Sequence, residues 1–303
     1  MANIENVEFK TIDGVTLRGI IYPASERGPG VILTPGFNAV KEMMNLPDVA
    51  EGFQRAGITA LIYNPRSIGL SGGTPRNDID PMKQIEDYSD ALTFLAGHPM
   101  ADPNRMAFWG VSFAGTVCLC AASLDKRAKL VIAVCPLTRF EYTPDKLPKV
   151  LAKCMRDRES QLQGNPPFYL PMVTERGENP AGFGVGIDKE KYQQIVNAGK
   201  DIAPNHVNRT TIQSYHKMLL WQPFTLWQYL DPTPVMILTP ELDQLSPPAL
   251  QRGYFEKLTG PKRHHMAMGQ GHIDVFAGEK FPALMKMQTD FFWDALAGRV
   301  TKE

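Results

Sequence analysis

Residues 107–116, AFWGVSFAGT, decide how the rest of the chain is read. Three apolar residues, Ala107, Phe108 and Trp109, run into Gly110, a single hydroxyl follows at Ser112, and Ala114 and Gly115 keep the next positions small. The run reads as a buried strand and the small residues as the start of a helix. A serine hydroxyl is a weak nucleophile until a base takes its proton, so it must be presented where an imidazole can reach it. A sharp strand-to-helix turn does this, but it brings the backbone so close that the residues two before and two after must be small. Gly110 and Ala114 meet that demand, giving a relaxed form of the G-x-S-x-G elbow. The same short pattern also occurs in ordinary turns, so the chain must supply the partners.

The whole chain sets the frame. Its 303 residues, 43% hydrophobic and 21% charged, suffice for one large α/β domain with a cap. Basic and acidic residues balance at 32 each, which points to no nucleic acid and no anionic membrane as partner. MANIENVEFK lacks the apolar stretch of a secretory signal, and no apolar run nears the roughly 20 residues of a membrane span. Cys118, Cys120, Cys135 and Cys154 show no metal-finger or CxxC spacing and read as reduced and buried, favouring a cytoplasmic location.

Strands alternate with helices along most of the sequence. VEFKTI and VTLRGIIY flank Asp13-Gly14, a hairpin signal. Buried strands are expected at 30–36, 58–64, 105–110, 129–135 and 234–240, and a short one at KRHHMAM. Helices are expected over 47–56, from Asp80-Pro81 to Leu95, over Phe113 to Leu124, after Pro247, and over FPALMKMQTDFFWDAL. Strands apolar on both faces and alternating with helices imply a largely parallel sheet covered on both sides. Residues 136–232 break the rhythm, are dense in Pro and aromatics, and carry a helical run near Asn208 to Leu220. They read as a cap inserted between core segments 1–135 and 233–303.

Three strand ends offer partners for Ser112. LTPGFNA (33–39) can lend a backbone N–H to a developing oxyanion, with Phe37 the first choice and Asn38 the second; Phe113, opening a helix, supplies the other. In TPELDQLSPP (239–248) Asp243 stands just past a strand, where a carboxylate orienting a histidine is needed, with Glu241 as competitor and helix capping as its bland role. In MGQGHIDVF (268–276) His272 lies beside Gly271. His98 and His206 read as surface loop residues, His216 as a helix face, and His264 and His265 as opposite faces of a strand, unsuited to a shared metal. Gly182-Phe-Gly184-Val-Gly186 follows no strand and reads as a loop rather than a dinucleotide site. Arg66 reads as a brace between loops, Trp221, Phe224, Trp227 and Tyr229 either as an acyl-pocket wall or as cap packing, and Asn38 as a further residue of that pocket. No cofactor and no metal is expected. The order Ser112, Asp243, His272 is the order of an α/β-hydrolase.

TPGFNAVKEM, YNPRSIGLSGGTPRNDIDP, HPMADPNRMAFWGVSFAG, TPELDQLSP and GQGHIDVF resemble the α/β-hydrolase family, and within it the fungal polyketide transferases and thiohydrolases of secondary metabolism. The resemblance spans nearly everything outside the cap. It implies Ser112 as nucleophile, Asp243 as acid, His272 as base, and Phe37 and Phe113 as oxyanion donors. It also implies a small-molecule polyketide acyl group as substrate, delivered as a thioester by a polyketide synthase and hydrolysed or passed to an acceptor hydroxyl. Thr34 and Ala114 depart from the common family pattern without removing a required group. Two other readings stay open: a condensing or cyclising enzyme that uses His272 as base alone, and a binding protein without turnover.

Overall fold

The structure is a computed structural model that describes residues 3–184, 190 and 201–302. The N-terminal alternation becomes β1 (Glu5–Lys10) and β2 (Thr16–Tyr22), an antiparallel pair whose turn contains Gly14 at φ 83°. The continuous apolar runs become β3 (Gly28–Thr34), β4 (Thr59–Tyr63), β5 (Ala101–Val111) and β6 (Ala128–Val134). Two-residue strands β7 (Tyr169–Leu170) and β8 (Thr210–Thr211) pair only with each other, and β9 (Val235–Pro240) and β10 (Lys262–Ala267) complete the set. The central sheet runs β1-β2-β4-β3-β5-β6-β9-β10, with β2 antiparallel to both neighbours and every other pairing parallel.

A parallel pair needs a crossover, and helices supply it. They are α1 (Leu46–Arg55), α2 (Pro81–Ala96), α3 (Phe113–Leu124), α4 (Leu147–Leu162), α5 (Ile212–Leu220), α6 (Pro248–Glu256) and α7 (Phe281–Leu296). Apolar side chains form one core on each face, so every residue of β3, β4 and β9 is buried. This is the α/β-hydrolase architecture: a mostly parallel sheet covered by helices on both sides. Because β3, β5, β6, β9 and β10 run the same way, the loops leaving their carboxyl ends gather along one edge.

Two details differ from the sequence reading. β5 starts at Ala101, ahead of the expected 105, because Gly28 pairs with Ala101 before a register shift. The run expected to be helical near Asn208 begins extended instead. Thr210 and Thr211 pair with β7, and the Thr211 hydroxyl then accepts the Ser214 N–H to start α5. Between β6 and β9 the described residues carry α4 packed on α5, and two short 3₁₀ turns, Pro223–Thr225 and Trp227–Tyr229, resting on α3. Of the Gly182–Gly186 stretch, Val185 and Gly186 lie outside the described residues. Among the described residues no helix is long and apolar enough to cross a membrane.

Arg66 staples three elements near that edge. Its Nε donates to Asp87 Oδ2 of α2 at 2.8 Å, and its Nη1 donates to Asp13 Oδ2 in the hairpin turn at 2.9 Å. Burial pushes the Asp87 carboxyl up to about 6 even though the Arg66 guanidinium opposes the shift. Removing the cation would leave Asp87 buried and unpaired. Arg66→Leu is therefore expected to lower stability by about 3–5 kcal/mol, read as a reduced urea midpoint. A midpoint unchanged from wild type would contradict a bracing role.

Candidate active site

Ser112 sits between the end of β5 and the first turn of α3 with φ 56° and ψ −125°. A side chain seldom takes positive φ, and such strain persists only where neighbours over-determine it. Here the Ser112 N–H donates to Val134 O at 2.9 Å, while its carbonyl accepts from Leu137 N at 2.9 Å and Thr116 N at 3.3 Å. The small flanking residues are steric necessities: a Cβ on Gly110 would stand 2.2 Å from Ala114 O, and one on Gly115 would stand 3.1 Å from Pro136 Cα.

Asp243 and His272 arrive from the next strands along the edge. The Ser112 Oγ lies 2.8 Å from His272 Nε2, and His272 Nδ1 lies 2.8 Å from Asp243 Oδ2. A carboxylate can only accept, so Nδ1 carries the proton and Nε2 is left to accept from the serine hydroxyl. Asp243 and His272 are each 4% exposed, whereas Ser112 is half-buried, so of the three the serine is the residue open to solvent. The Asp243 Oδ1 also accepts the N–H groups of Leu245 and Ser246 at 3.0 and 2.9 Å, so it caps the following turn as well as holding the imidazole. Glu241 does something else: its Oε2 accepts the Gly269 N–H at 2.7 Å, tethering the loop that carries His272.

Electrostatics favour charge on the ring. Burial acts to lower the His272 pKa, but the adjacent Cys135 sulfur and the Asp243 carboxylate act to raise it and prevail. Burial pushes the Cys135 thiol up, so it is uncharged near neutrality, which leaves Asp243 as the source of the imidazolium's stabilisation. Cys135, Asp243 and His272 present donor atoms within 4.8 Å of one another. A neutral thiol and an Nδ1 already bonded to carboxylate make this a hydrogen-bonded set, not the donor set of a metal ion.

The β3 loop closes the other side. A Cβ on Gly36 would stand 3.3 Å from Ser112 Cβ, and the Phe37 ring meets the Phe113 ring edge-on at 5.5 Å. The Phe37 and Phe113 backbone N–H groups have no acceptor among the described residues, the latter because the first N–H groups of a helix have no intrahelical partner. The Thr34 hydroxyl anchors the base of this loop on Tyr88 OH at 2.6 Å, and Tyr88 donates in turn to Trp109 O at 2.9 Å. Asn38 points its side chain elsewhere, donating to Val207 O at 2.9 Å and accepting from Asn77 Nδ2 at 3.3 Å. It thus ties the loop to the excursion between β6 and β9.

No family model matches the chain. Individual relatives do. A thiohydrolase of Eupenicillium brefeldianum is 54% identical over 291 residues, spanning 96% of this chain and 94% of that protein. A polyketide transferase of Stachybotrys chlorohalonatus is 46% identical over 290 residues, spanning 95% and 96%. The chain belongs to this family of fungal thiohydrolases and polyketide transferases. The crystal structure of the alpha/beta hydrolase GrgF from Penicillium sp. sh18 superposes with a TM-score of 0.88 at 40% identity, covering 97% of this chain and 99% of that one. The protein is accordingly an enzyme of the α/β-hydrolase fold.

Within this family member several site residues carry no local sequence signal. Gln251 on α6 donates to Asp243 Oδ2 at 3.0 Å and is fully buried. Ser246 donates to Pro136 O at 2.7 Å, joining the Asp243 turn to the end of β6. Cys135, at φ 39°, places its sulfur 3.4 Å from His272 O and 4.0 Å from Nε2. Its position at a parallel strand's carboxyl end was the one available hint. His206, read as a surface loop residue, is half-buried with a buried Nε2 beside the Asn38 backbone. Of the four expected pocket aromatics, Trp221 packs on Phe113 at 5.5 Å, whereas Phe224 stacks on Tyr254 at 3.8 Å and Trp227 meets Phe224 at 5.1 Å, one layer further out, and Tyr229 is 55% exposed.

Proposed function

We propose that the enzyme transfers an acyl group through a covalent intermediate on Ser112. The Ser112 oxygen attacks the carbonyl carbon of a thioester or ester while its proton passes to His272 Nε2. Asp243 holds the imidazole in the tautomer that can accept it and stabilises the imidazolium. The negative oxygen of the tetrahedral intermediate sits between the N–H groups of Phe37 and Phe113, at the positive end of α3. His272 returns the proton to the departing thiol or alcohol, leaving acyl-Ser112. Water then gives a free acid, or an acceptor hydroxyl gives a new ester, with His272 again taking the proton.

The observation that carries this reading is the unbroken 2.8 Å and 2.8 Å chain from Ser112 through His272 to Asp243. It favours acylation over a reaction in which His272 acts alone, because the base is already bonded to the hydroxyl it would activate. The substrate we propose is a small-molecule acyl group of the polyketide class, arriving as a thioester from a polyketide synthase. Relatives named thiohydrolase and polyketide transferase support both the class and the two fates of the intermediate. Residues 136–232 are proposed as a cap over the strand ends, supported by Trp221 on Phe113 and by Val207 on Asn38. Four buried free thiols fit a reducing, cytoplasmic setting. The test is thiol release from N-acetylcysteamine thioesters, with and without an alcohol acceptor. Release that depends on both Ser112 and His272 is expected. Product formation that survives loss of Ser112 but not of His272 would replace this reading with base-only condensation.

A further inference from the structure

The loop after β3 makes a tight turn beside Ser112. The Ala39 N–H donates to Gly36 O at 3.2 Å, so Phe37 and Asn38 are its two central residues, and Asn38 takes φ 54°. Asparagine is one of the few residues with a side chain that enters this region readily. The turn lies against the nucleophile, since a Cβ on Gly36 would stand 3.3 Å from Ser112 Cβ. The peptide joining Gly36 to Phe37 carries the N–H proposed as an oxyanion donor. The setting of the turn therefore decides where that donor points.

Two distant segments hold the buried Asn38 side chain. Its Nδ2 donates to Val207 O at 2.9 Å, and its Oδ1 accepts from Asn77 Nδ2 at 3.3 Å. A carbonyl can only accept, so the bond to Val207 fixes which way the amide faces. The Val207 carbonyl is itself held by the Arg209 N–H at 2.8 Å. Asn77 repeats the device: it is buried, has φ 54°, donates its N–H to Ser67 O at 2.9 Å and accepts the Thr211 N–H at 3.0 Å. Beyond it the Thr211 hydroxyl donates to Asp78 Oδ1 at 2.6 Å, and the Ile79 N–H donates to Ser214 Oγ at 2.8 Å. Residues 207–214 are thus fastened to the loop before α2, and Asn38 is where that assembly grips the turn beside Ser112. Glycine would meet the backbone demand at position 38 without strain, so what asparagine adds is its pair of side-chain bonds.

We propose that Asn38 is a positioning residue that couples residues 207–211 to the Phe37 N–H, so that the oxyanion donor is aligned only while this segment is docked. The proposal rests on the acyl-enzyme reading and names what controls one of its two donors. Losing an oxyanion donor outright costs on the order of 10²- to 10³-fold, and a misplacement of about 1 Å can cost about 10²-fold. Releasing the grip on the turn is expected to cost about 10- to 100-fold. The loss falls on kcat rather than KM, because the full negative charge on the oxygen develops only on the way to the tetrahedral intermediate.

Asn38→Gly tests this, since it keeps the backbone conformation and removes both bonds. Two readouts are taken under conditions where the variant is folded. One is turnover of the octanoyl N-acetylcysteamine thioester; the other is the saturating rate of Ser112 labelling by a fluorophosphonate, whose phosphoryl oxygen occupies the oxyanion position. Both kcat and the saturating labelling rate are expected to fall about 10- to 100-fold, with KM and the half-saturating probe concentration within about threefold of wild type. Asn77→Gly leaves Asn38 in place and is expected to lose less. The double variant is expected to be no worse than Asn38→Gly, because Asn77 acts through Asn38. Wild-type rates in Asn38→Gly, a loss carried by KM alone, or additive losses in the double variant would each overturn the proposal and leave the acyl-enzyme reading standing. Should Asn38→Gly fail to fold, Asn77→Gly carries the test: a lowered saturating rate at constant KM supports the proposal, and an unchanged rate overturns it. A wild type that neither turns over the thioester nor takes up the probe overturns the acyl-enzyme reading, and the proposal with it.

Discussion

Ser112→Ala is expected to lower kcat/KM toward an acyl thioester on the order of 10⁴- to 10⁶-fold while the protein stays folded. The size follows from the role proposed for the hydroxyl: without it no acyl-enzyme would form, and only binding and the proposed oxyanion donors would remain to assist direct attack by water. The fold persists because the Ser112 backbone, not its side chain, holds the elbow, through bonds to Val134, Leu137 and Thr116. The lost side chain has one bond, to His272 Nε2. Alanine at φ 56° bears a strain like that of serine. Steady-state kinetics beside circular dichroism check both halves. A folded variant with activity within a few-fold of wild type would remove Ser112 from the chemistry.

Asp243→Asn is expected to cost about 10⁴-fold in kcat with the side-chain volume unchanged. An amide can offer its NH₂ to Nδ1, which shifts the imidazole proton to Nε2, where it blocks transfer from the Ser112 hydroxyl. The pH profile gives an independent sign. In wild type Asp243 holds the His272 pKa above the ordinary 6.5, so the ring keeps its proton to higher pH. Since the base must be neutral, kcat/KM falls as pH drops through that raised value, and the acid limb lies above 6.5. Removing the carboxylate charge leaves burial to act alone, so the residual activity of Asp243→Asn is expected to show its limb moved to lower pH. A limb that stays in place or moves upward would mean that Asp243 does not set the charge of the imidazole.

Much of this arrangement is legible in the sequence because a parallel sheet buried on both faces writes itself as apolar runs, and the candidate site lies at the edge where such runs end. Ser112 and Asp243 each follow such a run, whereas His272 follows the polar edge strand β10 and is marked only by its neighbouring glycines; the helix expected at Phe113 to Leu124 is the helix found. What stays hidden depends on contacts between distant segments. Gln251 lies on a helix with a mixed surface, and only the fold of the Asp243 turn brings its amide to the carboxylate. His206 looks like solvent-facing loop until residues 206 and 207 dock on Asn38, which is 169 positions from Val207. Trp221, Phe224 and Trp227 sit close in sequence and suggest a single wall. The extended backbone of Trp221 at the end of α5 instead sends its ring to Phe113, while the following 3₁₀ turns carry Phe224 to Tyr254 of α6.

The central claim is that Ser112 is a nucleophile activated by His272. Intact-protein mass spectrometry after exposure to a fluorophosphonate probe tests it most directly, with wild type, Ser112→Ala and His272→Ala side by side. The account predicts one added phosphonyl group on wild type, located at Ser112 by peptide mapping, none on Ser112→Ala, and labelling slowed by orders of magnitude on His272→Ala. Equal labelling of wild type and Ser112→Ala, or a folded wild type that takes up no probe while turning over its thioester, would contradict it.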